Sequence, residues 1–183
     1  MALRLARTSA EAHLYMELHP CESCGQTGFD PVGSVVEADG DLARRYTGDC
    51  LSCGAPREFT FRVPDEIPPA GDDVPRFGDD RPSELLDAGE WLWLADILAS
   101  GTPPDPARLD ARQRRQTRMD LLTAASALSE VLKFVPTGAE AVPTKTLWSS
   151  RGRAVHRAEP NRFRRIHLEA TRDTCRGIAA RFS

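Results

Sequence analysis

The residues with the clearest chemistry are four cysteines in two matching groups, Cys21-Glu-Ser-Cys24-Gly25 and Cys50-Leu-Ser-Cys53-Gly54. The two-residue spacing lets both thiolates of a group reach one ion at about 2.3 Å, and two groups complete a tetrahedral site. The glycine after each second cysteine permits a turn that is closed to bulkier residues. Four thiolates leave no open coordination position. The sequence therefore predicts one structural zinc ion held by Cys21, Cys24, Cys50 and Cys53.

Residues 21–63 resemble the zinc-ribbon family, in which two such knuckles at the ends of a small antiparallel sheet hold a metal. The 25 residues between the knuckles exceed the simplest spacing of about 15–20, and a predicted hairpin accounts for the excess. The resemblance implies Zn²⁺ as a structural cofactor. Because members of this broad family bind nucleic acid, bind proteins or brace a larger fold, the resemblance implies a site and not a role.

Two disulfides are the alternative use of the four cysteines. Residues 1–20 lack the continuous apolar segment of a signal peptide, because Arg4, Arg7 and Glu11 interrupt every run. The longest apolar stretches are far shorter than the ~20 residues of a spanning helix. We therefore expect a cytoplasmic protein with reduced thiols and no membrane partner. The fifth cysteine, Cys175, is expected to be a buried apolar residue, and His19 to pack or cap rather than bind metal.

The elements that must position the first four cysteines are a helix and three strands. Thr8 and Glu11 have the spacing of a capping box, which predicts a helix from about Ser9 to Leu18. Apolar segments on both sides of Asp39-Gly40-Asp41 predict an antiparallel hairpin. Alternating apolar residues in 57–63 predict a third strand with one buried face.

The remainder of the chain predicts a linker and a helical domain, which gives an α+β fold class. Residues 64–83 are rich in Pro and Asp and are interpreted as an acidic linker between an N-terminal helix and zinc ribbon, 1–63, and a domain of about three helices, 84–183. The first helix follows Asp87 and ends at Gly101, the second begins at Asp105-Pro106 and ends near Pro136, and the last begins near Asn161.

Helical periodicity predicts the apolar stripe of each of these three helices. The stripes consist of Trp91, Leu94, Ala95 and Leu98, of Met119, Leu122, Ala125, Leu128 and Leu132, and of Phe163, Ile166, Ala170, Ile178 and Phe182. Trp93 lies beside the first stripe and is a candidate for an exposed recognition surface.

Charge is distributed unevenly along the chain. The net charge is −3, whereas residues 64–90 carry −7 and residues 136–183 carry +6. We hypothesise that the acidic linker covers the basic C-terminal region, with carboxylates of Asp72, Asp73, Asp79 and Asp80 facing arginines there. The arginines of this candidate interaction surface are Arg162, Arg164, Arg165 and Arg172.

The pattern of motifs favours a binding protein over an enzyme. No Gly-rich phosphate loop, HExxH, G-x-S-x-G or dinucleotide fingerprint is present. We expect a non-catalytic, cytoplasmic, zinc-binding module that recognises another protein, as an adaptor, an inhibitor or an immunity or antitoxin-like partner. The alternative is a nucleic-acid-binding protein that uses the Arg-rich C-terminal region. A third class is an enzyme that uses Arg151, Arg153, His156 and Glu159.

Overall fold

The computed structural model describes residues 3–65 and 76–183, which divide into two compact units. Unit 1 contains the described residues up to 65 together with 77–79 and 83–85, and unit 2 contains most of the chain from 86 onward. Unit 1 is a helix with a three-stranded antiparallel sheet, and unit 2 is helical. The predicted α+β class is confirmed. The boundaries of the predicted linker stay a prediction, and Asp72 and Asp73 lie outside the described residues.

The N-terminal helix, α1, runs from Ser9 to Leu18 as predicted. The Thr8 hydroxyl accepts a hydrogen bond from the backbone N–H of Glu11 at 3.1 Å. The Glu11 carboxylate accepts from the backbone N–H of Arg7 at 2.8 Å and forms a 2.5 Å ion pair with its guanidinium. Both side chains are buried, and burial of such a pair is tolerated because each charge is hydrogen-bonded by the other. Glu11 thus holds Arg7, the residue before the N-cap Thr8, and stabilises the first turn of α1.

The sheet consists of β1 (Val32–Ala38), β2 (Asp41–Asp49) and β3 (Pro56–Arg62) in that order. The predicted hairpin between β1 and β2 is confirmed. Its two turn residues, Asp39 and Gly40, have φ of 55° and 84°, and positive φ at both positions is the requirement of a type I′ turn.

One face of the sheet packs against α1. Directly paired residues of antiparallel strands share a face, and Tyr46 pairs with Phe59. Tyr15 of α1 meets the rings of Phe59 and Phe61 edge-on, with centroid distances of 6.2 and 5.5 Å. These aromatic contacts form the centre of unit 1 and bring the end of α1 beside the sheet.

The described residues of unit 2 form four α-helices, α2 (Ala88–Ser100), α3 (Ala111–Lys133), α4 (Ser150–Ala158) and α5 (Arg165–Ala179). Sequence reasoning predicted about three and missed α4. The residues of α4 bury only Gly152, so they lack the apolar stripe by which a helix is detected. None of the described helices has the length and apolar character needed to cross a membrane.

The predicted start of α3 was wrong. Pro106–Arg108 forms a separate 3₁₀ turn, and α3 begins after Asp110, which forms a capping box with Gln113. The predicted stripe was also rotated, because alanines between the larger residues form part of the contact with neighbouring helices. The buried residues of α3 are Leu121, Ala124, Ala125, Ala127, Leu128, Glu130 and Val131.

The first and last stripes were partly correct. In α2, Trp91, Leu94 and Ala95 are buried as predicted. In the C-terminal region Phe163 and Phe182 are buried, but Ile166 is 66% exposed and Leu168 is buried instead. The reason is that Phe163 belongs to a preceding 3₁₀ turn, Pro160–Phe163, so its position does not set the phase of α5.

A buried carboxylate joins the beginnings of α2 and α4. Asp87, the N-cap of α2, is fully buried and accepts hydrogen bonds from the backbone N–H groups of Gly89, Glu90 and Ser149. A Cβ at Gly152 would lie 2.1 Å from an Asp87 carboxylate oxygen, and one at Gly89 would lie 2.3 Å from the Cα of Gly152. The two helices can therefore meet only through this pair of glycines.

We predict that Gly152→Ala lowers the free energy of unfolding by about 2 kcal/mol or more, because the added methyl group overlaps the buried carboxylate. Gly177→Ala is the matched control: Gly177 is an exposed residue inside α5 with nothing within 4 Å of its Cβ position. It should stabilise the protein by about 0.5–1 kcal/mol. Urea denaturation measures both. Equal effects in the two variants would contradict the close crossing of α2 and α4.

Candidate metal centre

The four predicted cysteines converge in unit 1. All four Sγ atoms lie within 4.8 Å of one another. The Sγ atoms of Cys21 and Cys53 are 3.8 Å apart, and those of Cys24 and Cys50 are 3.6 Å apart. A tetrahedral zinc ion with Zn–S bonds of about 2.3 Å requires sulfur atoms about 3.8 Å apart. The donor set and its spacing thus fit a single metal ion.

The cysteines are not paired as disulfides. All five cysteines of the chain are free, and the two short Sγ separations in the cluster far exceed the bond length of about 2.05 Å. Cys21 and Cys50 are buried, whereas Cys24 and Cys53 are exposed. One thiol of each knuckle therefore faces the interior and the other faces solvent.

The two knuckles have the same backbone structure. In the first, the N–H of Cys21 donates to the carbonyl of Gln26 and the N–H of Gly25 donates to the carbonyl of Cys21, both at 2.8 Å. Cys50, Ala55 and Gly54 repeat these bonds at the same distance. Gly25 and Gly54 have φ of +73° and +72°, so the glycines are required by the turn and not by lack of space.

Backbone amides make the buried thiols acidic. The backbone N–H of Cys53, and then that of Ser52, lowers the pKa of Cys50 to about 6. The backbone N–H of Ser23 lowers the pKa of Cys21 against the opposing effect of desolvation. These amides favour the thiolate, which is the form that binds metal.

The pKa of Cys24 shifts in the opposite direction. The backbone N–H of Gln26 lowers its pKa, but the hydrogen bond with Cys53, desolvation and the bonds with the other two thiols together raise that pKa to about 12. A divalent cation would reverse this balance because all four ligands could then be deprotonated. The chemistry of the cluster is therefore that of a cation site.

Arg57 of β3 positions the first knuckle, and sequence reasoning missed it. Its buried guanidinium lies 4.6 Å from the ring centroid of Phe29 and 5.2 Å from that of Phe59. It donates to the carbonyls of Met16 and Thr27 at 3.4 Å, and to the carbonyl of His19, which ends α1. Arg57 thus ties the end of α1, just before Cys21, to the strand that follows the second knuckle.

A signal for this role was present in the strand pattern. Arg57 alternates with Phe59 and Phe61, so it occupies the buried face that the apolar residues define. A charged residue on that face requires hydrogen-bond partners. The sequence pattern predicted the buried face of β3, but no partners were predicted for Arg57.

His19 and Cys175, the other two residues with a sequence-based expectation, behave as expected. The Nδ1 atom of His19 lies 2.7 Å from the carbonyl oxygen of Tyr15, and its ring stacks on that of Tyr15 at 3.7 Å. His19 therefore caps α1. Cys175 is buried in unit 2, where desolvation, and then the charge of Asp96, raises its pKa.

The candidate interaction surface does not form one free basic face. Two guanidinium nitrogens of Arg162 bind the Asp96 carboxylate at 2.8 and 2.5 Å. The other three arginines also have partners in unit 2: Arg164 binds Glu140, Arg172 binds Asp173, and Arg165 donates to the carbonyls of Val135, Pro136 and Ala139. Since Asp72 and Asp73 lie outside the described residues, their part in the linker hypothesis stays a prediction.

Trp93 is half-buried on α2. The guanidinium of Arg151 lies 4.2 Å from its ring centroid, in the range of a cation–π contact. Part of the indole face that was predicted to meet a partner is therefore occupied within unit 2.

No family model, curated protein or solved structure matches this chain. The likeness to zinc ribbons rests instead on the four converging cysteines and on the small antiparallel sheet that carries them.

We predict that the protein purified without chelator contains one zinc ion per chain by elemental analysis. Cys21→Ser or Cys53→Ser should lose the metal and unfold unit 1, because metal binding of about 10 kcal/mol or more is also folding energy in such sites. Cys175→Ser should keep its metal, since Cys175 lies in unit 2. Protein with free thiols but no zinc would contradict the site, as would metal loss in the Cys175 variant.

We also predict that Arg57→Met weakens zinc binding about 10–100-fold, as expected when a residue that orients the ligands is removed. The carbonyls at the end of α1 would lose their donor. Arg44→Met is the control, because Arg44 stands over Tyr46 on the same sheet but is exposed. Competition with a coloured chelator gives both affinities. A similar change in the two variants would show that Arg57 does not position the knuckle.

Proposed function

We propose that this protein is a non-catalytic, cytoplasmic zinc protein in which a ribbon-like unit 1 recognises another protein. The observation that carries the proposal is the closed cluster of four thiols, with separations that match a tetrahedral zinc ion. Four protein ligands leave no position for a substrate or an activated water, so the metal has a structural role. An adaptor, an inhibitor or an immunity or antitoxin-like partner would each use such a module.

The zinc ion would hold α1 and the sheet of unit 1 in one arrangement. One knuckle follows α1 and the other connects β2 with β3, so a shared ion ties the helix to the sheet. The sheet has only three strands, and so small a core supplies little stability without a metal or a disulfide. Zinc binding would therefore hold the surface of the ribbon in one conformation.

Exposed apolar side chains on the sheet support recognition of a protein. Val35 and Leu42 are 66% and 59% exposed, and their cross-strand pairing places both on the face that carries Tyr46. β1 is an outer strand with no further strand paired to it among the described residues. A free edge with apolar neighbours can accept an extended segment of a partner.

A cavity at the start of β1 supports a partner with a basic side chain. It has a volume of about 250 Å³, and Asp30 and Pro31 in its wall directly precede β1. Met16 and Phe29 give it an apolar part, and Glu17 and Asp30 add two carboxylates. An arginine or lysine could place its aliphatic stem against the apolar part and its charge beside the carboxylates.

Nucleic-acid binding through the Arg-rich C-terminal region is the alternative. The partners of Arg162, Arg164 and Arg172 weaken its support, because these arginines already contact carboxylates. The ribbon is also a poor phosphate binder, since residues 21–63 carry −3 and Zn²⁺ with four thiolates adds −2.

The test uses tagged, zinc-loaded full-length protein incubated with extract of its host, with and without nuclease. The proposal expects a protein partner that survives nuclease treatment. Val35→Ser with Leu42→Ser should release that partner, because both apolar contacts are lost. The control pair is Ile97→Ser with Ile166→Ser, which removes comparably exposed apolar side chains from unit 2. The absence of any nuclease-resistant partner, or equal release of that partner from both double variants, would refute protein recognition by the ribbon.

A further inference from the structure

Four arginines lie within the first eight residues of α3. Arg112, Arg114, Arg115 and Arg118 form no ion pair with any described residue. The acidic residues that flank them in the sequence have other roles: the carboxylate of Asp110 caps the helix and that of Asp120 accepts from Gln116. The arginines of α5, in contrast, contact the Asp173 carboxylate or backbone carbonyls. We call these four residues the α3 arginine face.

Helical geometry places Arg112 and Arg115 away from the core and Arg114 and Arg118 at its flank. Successive residues are separated by about 100° around a helix, which puts the four arginines within an arc of about 160° on the side opposite Val131. Arg112 and Arg115 are exposed, and Arg114 and Arg118 are half-buried at the flank. All four arginines therefore start from one continuous side of α3.

Such an arrangement is unfavourable for the isolated protein. Arg112 and Arg115, and Arg115 and Arg118, are three residues apart, and Arg114 and Arg118 are four apart, which are the spacings at which like charges repel. They also lie near the helix N-terminus, where the helix dipole is already positive. A bound anion would relieve both effects.

Arg181 extends the positive charge at this end of unit 2. Phe182 packs in one cluster with Leu121 of α3, and the Arg181 guanidinium reaches the carbonyl of Pro104 at 3.4 Å. The 3₁₀ turn at the C-terminus therefore brings a fifth arginine towards the beginning of α3.

We propose that the α3 arginine face binds the phosphate backbone of a nucleic acid. The large exposed apolar side chains of unit 2 among the described residues, Ile97, Trp148 and Ile166, lie elsewhere. A protein interface or a membrane surface needs apolar anchors, whereas phosphate contacts need only cations and hydrogen-bond donors. This surface is separate from the ribbon, so the inference goes beyond the proposed function.

The experiment measures binding of zinc-loaded full-length protein to a labelled 20-base-pair DNA duplex, and to RNA of the same sequence, by fluorescence anisotropy. Four phosphate contacts predict a slope of log affinity against log salt of about −3.6, or about a 150-fold loss between 50 and 200 mM salt. Arg112→Gln with Arg115→Gln should weaken binding about tenfold or more and reduce the slope by about 1.8. The variant should also have an unchanged or raised Tm without nucleic acid, because repulsion is relieved.

The control is Arg164→Gln with Arg176→Gln, which changes the net charge equally but removes arginines that pair with Glu140 and Asp173. Its affinity and slope should stay close to those of the unmodified protein. Equal losses in the two double variants would overturn the proposal, because net charge alone would then explain binding. Absence of binding at 50 mM salt, or polyglutamate of matched charge competing as well as duplex, would overturn it too. If DNA and RNA bind alike, recognition is by the shared phosphate backbone; a preference for one identifies the natural ligand.

Discussion

The convergence of four sulfur atoms is the constraint on which unit 1 depends. Two knuckles from distant parts of the chain place their Sγ atoms within 4.8 Å of one another. A divalent cation bound there would join the end of α1 to the β2–β3 connection. The backbone amides of each knuckle and the guanidinium of Arg57 hold this geometry from outside the cluster. The apolar packing of α1 on the sheet also stabilises unit 1.

Unit 2 depends on a different kind of constraint. Its helices α2 and α4 begin at a buried carboxylate, that of Asp87, which accepts hydrogen bonds from both segments. The carboxylate is tolerated because backbone N–H groups satisfy it, and the close approach is possible because Gly89 and Gly152 have no side chain. Helix α4, with few apolar residues, is thereby held by polar contacts at its first turn.

The distribution of charge separates two kinds of arginine. Arg162, Arg164, Arg172 and Arg176 of the C-terminal region pair with carboxylates, and the bidentate pair with Asp96 raises the pKa of Arg162. Those at the start of α3 have no ion-pair partner among the described residues and repel one another. Composition cannot distinguish the two groups, since both are runs of arginine in helices.

The sequence by itself determined the cluster of four cysteines, the helix Ser9–Leu18, the hairpin and the capped start of α2, because each depends on residue types at short, fixed spacings. It misplaced the start of α3 and missed α4, where a proline turn and an absent apolar stripe obscured the local signal. Only the tertiary structure decided which arginines are paired, that Arg57 fixes the first knuckle, and that Gly152 must stay small. These are contacts between residues far apart in the chain, and no local spacing encodes which distant side chain will fill a given space or neutralise a given charge.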